Sequence, residues 1–300
     1  MRFTSPQILK KKFLYKVYDR VKMKKIGFID YYIDEWHANN YPVWINDICR
    51  AENKQFEVAY AWAELDRMTE SSLSTQEWCD KFGVEKCNTI EELCEKSDYI
   101  VILAPSDPDK HLGYVEKVFK FGKRTYVDKT FAPDYETAKC IFELGEKYNT
   151  FFFSSSALRY AEELEGKKCE TIITMNGGGN YEEYIIHQIE MVVKTMGIGI
   201  SKARVIKSGE QYFTTLEYVD GRQANMIFAK FITSGAYMKT SDFEGFIEFK
   251  SDFFANLLKD ILNFFETGEK SFDGKETLEV MKVREGVIKG MAKCGEWIEL

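Results

Sequence analysis

The chain has 300 residues, of which 45% are hydrophobic, and a formal net charge of −7. That length suits one large domain or two of ordinary size, each with a real hydrophobic core. The acidic balance argues against nucleic acid or an anionic membrane surface as the main partner. The apolar runs are much shorter than the roughly 20 residues that a membrane-spanning helix needs, so no membrane segment is predicted.

Seven cysteines are scattered without a C-x-x-C pair, and no signal peptide is recognisable. This pattern predicts a reduced, cytoplasmic compartment. Cys79, Cys87 and Cys94 lie close in sequence, which leaves a metal site as an alternative. No histidine is near them and their spacing is not that of a zinc site, so we predict buried thiols and no metal.

Residues 1–22 differ from the rest, with seven Lys/Arg and one Asp. Met23, followed by Lys-Lys-Ile, would be a natural translation start. We therefore predict that residues 1–22 are a basic N-terminal extension that packs little against the body. A basic interaction arm is the alternative.

Strands and helices alternate from Met23 to about residue 150. The predicted strands are 24–29, 56–62, 98–104, 124–127 and 150–153. The predicted helices are 76–82 before Gly83, one that starts after the N-cap Thr89, 110–121 before Gly122, and 133–148. Such alternation is typical of a doubly wound parallel sheet with right-handed crossovers. Residues 23–150 are therefore predicted to form a Rossmann-like, nucleotide-binding α/β domain.

Strand patterns follow one another after about residue 165. The predicted strands are 171–175, 203–208, 211–219, 223–233 and 245–249, with a hairpin signal at Asp220-Gly221. One long helix, 181–196, interrupts them, and two helices, 253–266 and 275–293, close the chain. Residues 151–300 are thus predicted to form an α+β domain with a large, mostly antiparallel open sheet. The last helix either stays with this domain or returns to the first.

The glycine-rich loop expected after the first strand is missing. A G-x-G-x-x-G loop allows a tight turn and a close approach of the backbone to pyrophosphate. Here Asp30, Tyr32 and Glu35 stand at the three glycine positions, and Asp34 adds a third carboxylate. A carboxylate about 4 Å from a phosphate repels it by roughly 4 kcal/mol at an effective dielectric constant near 20. The loop is therefore predicted to weaken dinucleotide binding.

Two further strand ends carry polar groups where open parallel sheets bind ligands. One is Ala104-Pro105-Ser106-Asp107, with His111 in the following helix, and the other is Asp128-Lys129-Thr130. A lysine held beside an aspartate can be aimed at a substrate hydroxyl or carbonyl. A surface ion pair is the alternative.

The helix 181–196 carries Glu183, His187 and Glu190 at i, i+4 and i+7, so these three side chains share one face. Nearly opposite lie apolar side chains: Ile185, Ile189, Val192 and Met196. A histidine between two carboxylates is a plausible proton-transfer unit. The alternatives are a solvated helix face with an ordinary histidine, or a His/Glu metal site.

Taken together and in their order along the chain, the strand-end segments and the helix 181–196 resemble the glucose-fructose oxidoreductase/inositol dehydrogenase (Gfo/Idh/MocA) family. The resemblance runs from about Met23 to Leu300. The segment Ile102-Leu103-Ala104-Pro105, followed by His111, resembles its T-P…H element. Tyr126-Val127-Asp128-Lys129-Thr130 resembles its E-K-P element, with Asp for Glu and Thr for Pro. The run from Glu183 to Glu190 resembles D-x-G-x-H-x-x-D, with both acids changed to Glu and the glycine to Ile185.

The resemblance implies that NAD or NADP binds the first domain and that a small polyol lies against the second. It implies cofactor contacts by Asp30, Tyr31, Tyr32, Ala104, Pro105, His111, Asp128 and Lys129. It assigns proton transfer to Lys129 and His187, with Glu183 and Glu190 as their carboxylate partners, and substrate contacts to Arg159 and Tyr160. It also implies a homo-oligomer through the open sheet. Because no proline follows Lys129, no cis peptide is expected there.

The sequence therefore favours an NAD(P)-dependent oxidoreductase acting on a sugar, an inositol or a related polyol. One alternative is a protein that has lost dinucleotide binding and serves as a sugar-like ligand-binding or regulatory subunit. The other is a cofactor-independent lyase or hydrolase that uses His187 and its carboxylates.

Overall fold

A computed structural model describes residues 22–300, so the predictions for the basic extension lie almost wholly outside the described part. The first sheet is parallel, in the order β3-β2-β1-β4-β5-β6. Its strands are β1 (Lys24–Tyr32), β2 (Phe56–Leu65), β3 (Glu85–Lys86), β4 (Tyr99–Ile102), β5 (Thr125–Val127) and β6 (Phe152–Phe153). The order reverses between β1 and β4, which opens a crevice at their carboxyl ends.

Five α-helices connect these strands, four of them at predicted positions. They are α1 (Trp36–Glu52), α2 (Thr75–Phe82), α3 (Ile90–Lys96), α4 (His111–Val118) and α5 (Tyr135–Tyr148). Local chemistry sets their ends. Thr89 accepts a hydrogen bond from the Glu92 amide at the start of α3, and Gly83 ends α2 in the left-handed conformation at φ 68°. The doubly wound α/β domain is confirmed.

The second sheet has seven strands in the order β12-β11-β7-β10-β9-β8-β13. They are β7 (Thr171–Asn176), β8 (Ile200–Ser208), β9 (Gln211–Tyr218), β10 (Gln223–Phe228), β11 (Gly235–Lys239), β12 (Glu244–Glu248) and β13 (Trp297–Glu299). Among these strands β7 and β10 pair in parallel and the other neighbours are antiparallel. The mostly antiparallel open sheet is therefore confirmed.

Helix α1 and strands β3 and β11 are absent from the predicted elements, and β10 is shorter than predicted. The chain leaves the sheet after Phe228 and turns where the amide of Ile232 donates to the carbonyl of Ala229, at 2.9 Å. The continuous predicted strand 223–233 is thus wrong beyond Phe228. Its bulky residues Phe231 and Ile232 resemble a strand, but they lie in and beside this turn.

Three helices belong to the second half of the chain: α6 (Tyr181–Met196), α7 (Phe253–Thr267) and α8 (Gly274–Ala292). The predicted bounds of α6 are confirmed. Helix α8 packs on β8, α6 and α5, whereas α7 lies against α1. Apolar residues of α7 such as Leu258 and Phe264 share one core with Phe28 and Tyr41 of the first half. The penultimate helix therefore covers the first sheet, and the division of the chain at residue 150 stays a prediction.

No helix within residues 22–300 combines the length and the apolar character that crossing a membrane requires.

Gly27 in β1 allows helix α3 to approach the first sheet closely. A Cβ atom there would lie 2.4 Å from Ser97 Oγ and 2.5 Å from Leu93 Cδ2. Overpacking of this kind costs roughly 1–3 kcal/mol, so we expect Gly27→Ala to lower the free energy of unfolding by that amount in urea titrations.

Gly113→Ala is the matched control, because a Cβ atom added at this residue of α4 would have no heavy atom within 4 Å. Removing a helix glycine should stabilise the protein by roughly 0.5–1 kcal/mol. Equal free energies for the two variants would contradict the close packing of α3 on β1.

Candidate functional site

The candidate site is a cleft between the carboxyl ends of the first sheet and helix α6. A cavity of about 470 Å³ is lined by His37 and Lys129 from the first half and by Tyr184 and His187 from α6. A second cavity of about 330 Å³ shares Trp36, His37, Lys129 and Tyr184 with it. The two cavities therefore form one continuous cleft at the edge where open parallel sheets bind ligands.

Asp30, at the first glycine position of the missing loop, lies within β1 and is 1% exposed. Its Oδ1 accepts hydrogen bonds from the amides of Tyr31 at 2.7 Å and Ala104 at 3.0 Å. Its Oδ2 has no hydrogen-bond partner among residues 22–300. Burial, together with the nearby Glu35, raises its pKa well above the usual range. Asp30 thus bonds to the end of β4 from within β1 and is buried away from solvent.

Asp34 joins two loops at the same edge of the sheet. Its Oδ2 accepts from the amide of Leu73 at 2.7 Å, and its Oδ1 accepts from the Asn39 side chain at 2.8 Å. The segment before α2 is thereby held to the first turns of α1. This carboxylate also has a role within the fold.

Glu35 is the N-cap of α1. The amide of His37 donates to Glu35 Oε2 at 2.8 Å, and the amide of Ala38 donates to Glu35 Oε1. The backbone carbonyl of Glu35 accepts from the amide of Asn39 at 2.9 Å. The first turn of α1 therefore satisfies its free amides with its own carboxylate. All three carboxylates after the predicted first strand are thus bonded to neighbouring backbone or side-chain groups. The weakening of dinucleotide binding by this loop stays a prediction.

His37 is a cleft residue that the sequence analysis did not single out. Its Nδ1 lies 2.5 Å from Asp128 Oδ2, and its ring stacks on Tyr41 with centroids 5.1 Å apart. Its Nε2 makes no hydrogen bond to any residue between 22 and 300, and the side chain is part of the wall of both cavities. A histidine in the first turn of the helix after β1, opposite a strand-end aspartate, is the signal that could have identified it.

Asp128 is buried and fully bonded. Its carboxylate accepts from the Tyr126 hydroxyl at 3.1 Å and the Lys129 amide at 2.8 Å, in addition to its contact with His37. Burial raises the pKa of Asp128, but His37 and Lys129 outweigh it and hold the pKa below its usual value. The carboxylate therefore stays ionised and fixes the orientation of the His37 ring.

Lys129 extends into the cleft from the end of β5. Its Nζ lies 3.4 Å from the carbonyl oxygen of Pro105 and 3.7 Å from Glu183 Oε1. Glu183 also accepts from the Ser106 hydroxyl at 2.7 Å, so it joins α6 to the end of β4. The peptide bond between Lys129 and Thr130 is cis, and the expectation that the missing proline removes it is wrong.

His187 approaches the same cleft from α6. Its Nδ1 lies 2.5 Å from Ser156 Oγ, and the ring contacts Tyr184 edge-on. Burial, together with the positive charge of Lys129 and the nearby His37, lowers the pKa of His187 to about 3. The imidazole is therefore neutral at physiological pH.

Glu190 and Arg159 lie behind the cleft as a buried ion pair. Glu190 Oε2 is 2.9 Å from Arg159 Nη1, and Arg159 also contacts the carboxylate of Glu276. Glu190 Oε1 accepts from the amide of Ser156 at 3.3 Å, and the Ser156 hydroxyl contacts His187. The structure thus relates Glu190 to His187 through Ser156 instead of through direct contact.

Arg159 and Tyr160 line a different cavity, of about 620 Å³. The Tyr160 hydroxyl donates to Asp260 Oδ2 at 2.7 Å, and the Arg159 guanidinium lies 3.9 Å above the Phe272 ring. The structure does not bring these two predicted substrate residues together with Lys129 and His187 in one cavity.

The remaining predicted cofactor residues divide into two groups. Tyr32 and Pro105 line the smaller cleft cavity. His111 is fully buried, with Nδ1 3.0 Å from the carbonyl of Phe131 and Nε2 2.5 Å from the carbonyl of Leu103. It connects the end of β4 to the segment after β5 and has no ring nitrogen left for a ligand.

Tyr31 and Glu64 are also bonded within the first domain, at the edge of the sheet. The ammonium of Lys110 lies 4.3 Å from the Tyr31 ring centroid and 2.6 Å from Glu64 Oε1. Glu64 accepts a further bond from the Tyr114 hydroxyl at 2.8 Å. The Glu64 carboxylate at the end of β2 is therefore already paired.

The three cysteines that lie close in sequence, Cys79, Cys87 and Cys94, are all buried, as predicted. Burial raises the pKa of each thiol, so all three stay protonated at neutral pH. Residues 22–300 contain no group of three or more His, Cys, Asp or Glu side chains placed to hold a metal ion.

The geometry defines a doubly wound parallel sheet followed by a mostly antiparallel sheet, with a polar cleft between the first sheet and α6. No protein-family model matches the chain. Glyceraldehyde-3-phosphate dehydrogenase of Pyrobaculum neutrophilum is 29% identical over 125 residues, which are 42% of this chain and 30% of that enzyme. The matched part thus spans under a third of that relative's length.

Solved structures are similar over nearly the whole chain. The UDP-N-acetylglucosamine 3-dehydrogenase of Acidithiobacillus ferrooxidans has a TM-score of 0.73 at 13% identity, over 90% of this chain and 98% of its own. The scyllo-inositol dehydrogenase of Lactobacillus casei, solved with NAD(H) and scyllo-inositol, has a TM-score of 0.70 at 13% identity, over 93% and 99%. This chain has the fold of these dehydrogenases, as the resemblance implies.

The depressed pKa of His187 leads to a pH-dependent prediction. The value of about 3 lies below the roughly 6.5 of an unfolded histidine, so the unfolded chain binds the proton first as the pH falls. His187 should therefore reduce the free energy of unfolding below about pH 6.5 and leave it unaffected above that. His187→Gln should lose less stability than wild type between about pH 7 and 5 in urea titrations.

The chain contains three histidines, so NMR can follow each ring separately. The His187 signal, assigned from its loss in His187→Gln, should not titrate between about pH 5 and 8. Titration near the ordinary histidine value would show that the ring is not shielded as described.

Proposed function

We propose that the protein is an NAD(P)-dependent oxidoreductase that acts on a hydroxyl-bearing carbon of a sugar, an inositol or a related polyol. The observation that carries this proposal is the convergence of Lys129 from the first domain and His187 from α6 in one cleft. A proton-transfer group and a hydrogen-bonding group from separate domains can serve one substrate when it binds between the domains. The similar dehydrogenases of known structure support the reaction class.

A nicotinamide cofactor would be held at one end of the cleft. Tyr32, Pro105 and Lys129 line the smaller cavity there and would contact the ring. The diphosphate would take the first-turn amides of α1, which requires the Glu35 carboxylate to move away. When bound, the nicotinamide ring supplies the hydride acceptor or donor.

Proton transfer at the substrate oxygen is the task of Lys129 in this proposal. Its Nζ is held by the carbonyl of Pro105 and the carboxylate of Glu183, so the amine is aimed and not free to rotate. The neutral ring of His187 does not compete for the proton, and it can hydrogen-bond a neighbouring hydroxyl while Ser156 holds its Nδ1. Glu190 acts as a positioning residue through Ser156.

A second candidate is a cofactor-independent acid–base enzyme, such as a lyase. The specific observation in its favour is the pair His37–Asp128, in which Asp128 orients the imidazole and leaves its Nε2 accessible from the cleft. The Glu35 carboxylate, which caps α1, lines the same cleft. Such a pair can remove a proton next to a carbonyl without hydride transfer. Turnover of a polyol without any nicotinamide would favour this candidate.

Replacing the two cleft residues Lys129 and His187 tests the proposed active site. Lys129→Met and His187→Ala should each lower turnover by roughly 100-fold or more, with circular dichroism and melting temperature showing an intact fold. The effects should be non-additive in the double variant, because both residues serve one substrate. The assay screens inositols, hexoses and their oxidised forms for a change in nicotinamide absorbance.

Lys139→Met is the matched control, since Lys139 is a partly exposed residue of α5 that pairs with Glu136 and lines neither cleft cavity. It should leave turnover unchanged. Activity that survives both cleft substitutions would remove Lys129 and His187 from the mechanism.

We also propose that the second sheet forms a homo-oligomer interface. Its inner face packs on α6 and α8, while apolar side chains such as Ile206, Phe213, Tyr237 and Phe246 are exposed on the other face. Ile206 pairs with Phe213 and Tyr237 pairs with Phe246 across neighbouring strands, so these side chains form two apolar patches. Exposed apolar patches on a sheet are typical of interaction surfaces.

Light scattering after size-exclusion chromatography tests this interface, because it measures the molar mass of the protein in solution. Wild type should have a mass above that of one 35.0 kDa chain, and Phe213→Lys combined with Phe246→Lys should shift it towards one chain. Met68→Lys, at an exposed apolar residue outside both sheets, is the control and should not change the mass. A monomeric wild type at micromolar concentration would contradict the interface.

A further inference from the structure

We propose that Glu35 is a built-in competitor of the dinucleotide diphosphate and sets the affinity of this protein for its cofactor. The inference rests on the proposed use of a nicotinamide cofactor. It assigns to one side chain the effect that the sequence suggests for the whole acidic loop.

The geometry places a carboxylate where the fold binds phosphate. In dinucleotide-binding folds the pyrophosphate lies on the amides of the first turn of the helix after β1. Here the amides of His37 and Ala38 in that turn both donate to the Glu35 side chain, the former at 2.8 Å. A carboxylate satisfies these amides in the same way as a phosphate oxygen, and it gains from the same helix dipole.

The competitor is intramolecular, which makes it effective. Glu35 immediately precedes α1, so its carboxylate reaches the amides without losing the freedom that a free ligand loses on binding. An incoming diphosphate must replace an acceptor that is always present at a high local concentration. Cofactor affinity should therefore be weak as long as Glu35 can bond to the first turn.

The neighbouring carboxylates do not compete in this way. Asp30 bonds to the amide of Ala104, and Asp34 bonds to the amide of Leu73. Neither occupies an amide in the first turn of α1. Replacing all three acids by glycine would remove the contacts that join β1 to β4 and α1 to the segment before α2, so substitution of Glu35 alone is the informative change.

Three variants distinguish the effect of the Glu35 charge from the effect of its hydrogen bonds to the first-turn amides of α1. Glu35→Ser removes the carboxylate and leaves a short hydroxyl that is a good N-cap, so α1 should remain stable. Glu35→Gln keeps the length and an acceptor oxygen but removes the charge. Asp34→Asn is the matched control, because it removes the same charge one residue away without freeing an amide of the first turn.

Calorimetric titration of the full chain with NADH measures the effect. Glu35→Ser should bind NADH at least about tenfold more tightly than wild type, and Glu35→Gln should lie between the two. Asp34→Asn should stay within about threefold of wild type. Reduced nicotinamide riboside, which has no phosphate, should bind all four proteins equally. A parallel thermal-shift titration uses inorganic pyrophosphate as a probe of the amide site alone.

The outcomes distinguish this inference from the proposed function. If wild type and Glu35→Ser bind NADH with equal affinity, the competitor role is overturned and cofactor use stands. If neither binds NADH, or NADPH in a repeat titration, but pyrophosphate stabilises only Glu35→Ser, the competitor role stands and nicotinamide use is overturned. If neither ligand distinguishes the two proteins and NADH does not bind, both are overturned. A gain for Asp34→Asn as large as that for Glu35→Ser would replace the competitor role by general repulsion.

Discussion

The cleft depends on the hydrogen bonds that the buried carboxylate of Asp128 accepts. This carboxylate lies at the end of β5, where it bonds to Tyr126, to the Lys129 backbone and to His37 of α1. A buried carboxylate is tolerated only when its charge and its hydrogen-bond capacity are satisfied. Loss of any one partner would therefore affect the others, and with them the side chains that enter the cleft. The same hydrogen bonds hold the first turn of α1 against the end of β5.

The fold was largely predictable because its signals are local. The alternation of strands and helices predicts the parallel sheet, and a 3.6-residue pattern with a glycine stop predicts α6 at its observed bounds. The strand predictions were wrong where the local sequence pattern is misleading. Phe231 is apolar but 77% exposed in a turn, and β11 has only five residues, of which three in a row are apolar, which is a weak strand signal.

The site was predictable only in part, because its chemistry depends on contacts that are distant in sequence. Lys129 and His187 meet in one cleft as their positions in the chain suggest. Glu190 shares the predicted helix face with His187, but it is buried in an ion pair with Arg159. Arg159 precedes Glu190 by 31 residues, so the helix pattern alone does not show this pair. The carboxylates after β1 suggested repulsion, yet each bonds to an amide or side chain that the linear pattern does not identify. His37 was missed because its partner Asp128 lies 91 residues further along the chain.

The N-cap formed by Glu35 also has a consequence for how such a protein can change over generations. A helix that caps itself needs no ligand to complete its first turn, so the glycines of a phosphate loop can be lost without loss of the fold. Binding and folding are then under separate selection, because ligand stabilisation contributes little that the empty chain lacks. A domain in this state can acquire a different chemistry in its cleft, or recover the old one, through single substitutions that leave its architecture intact.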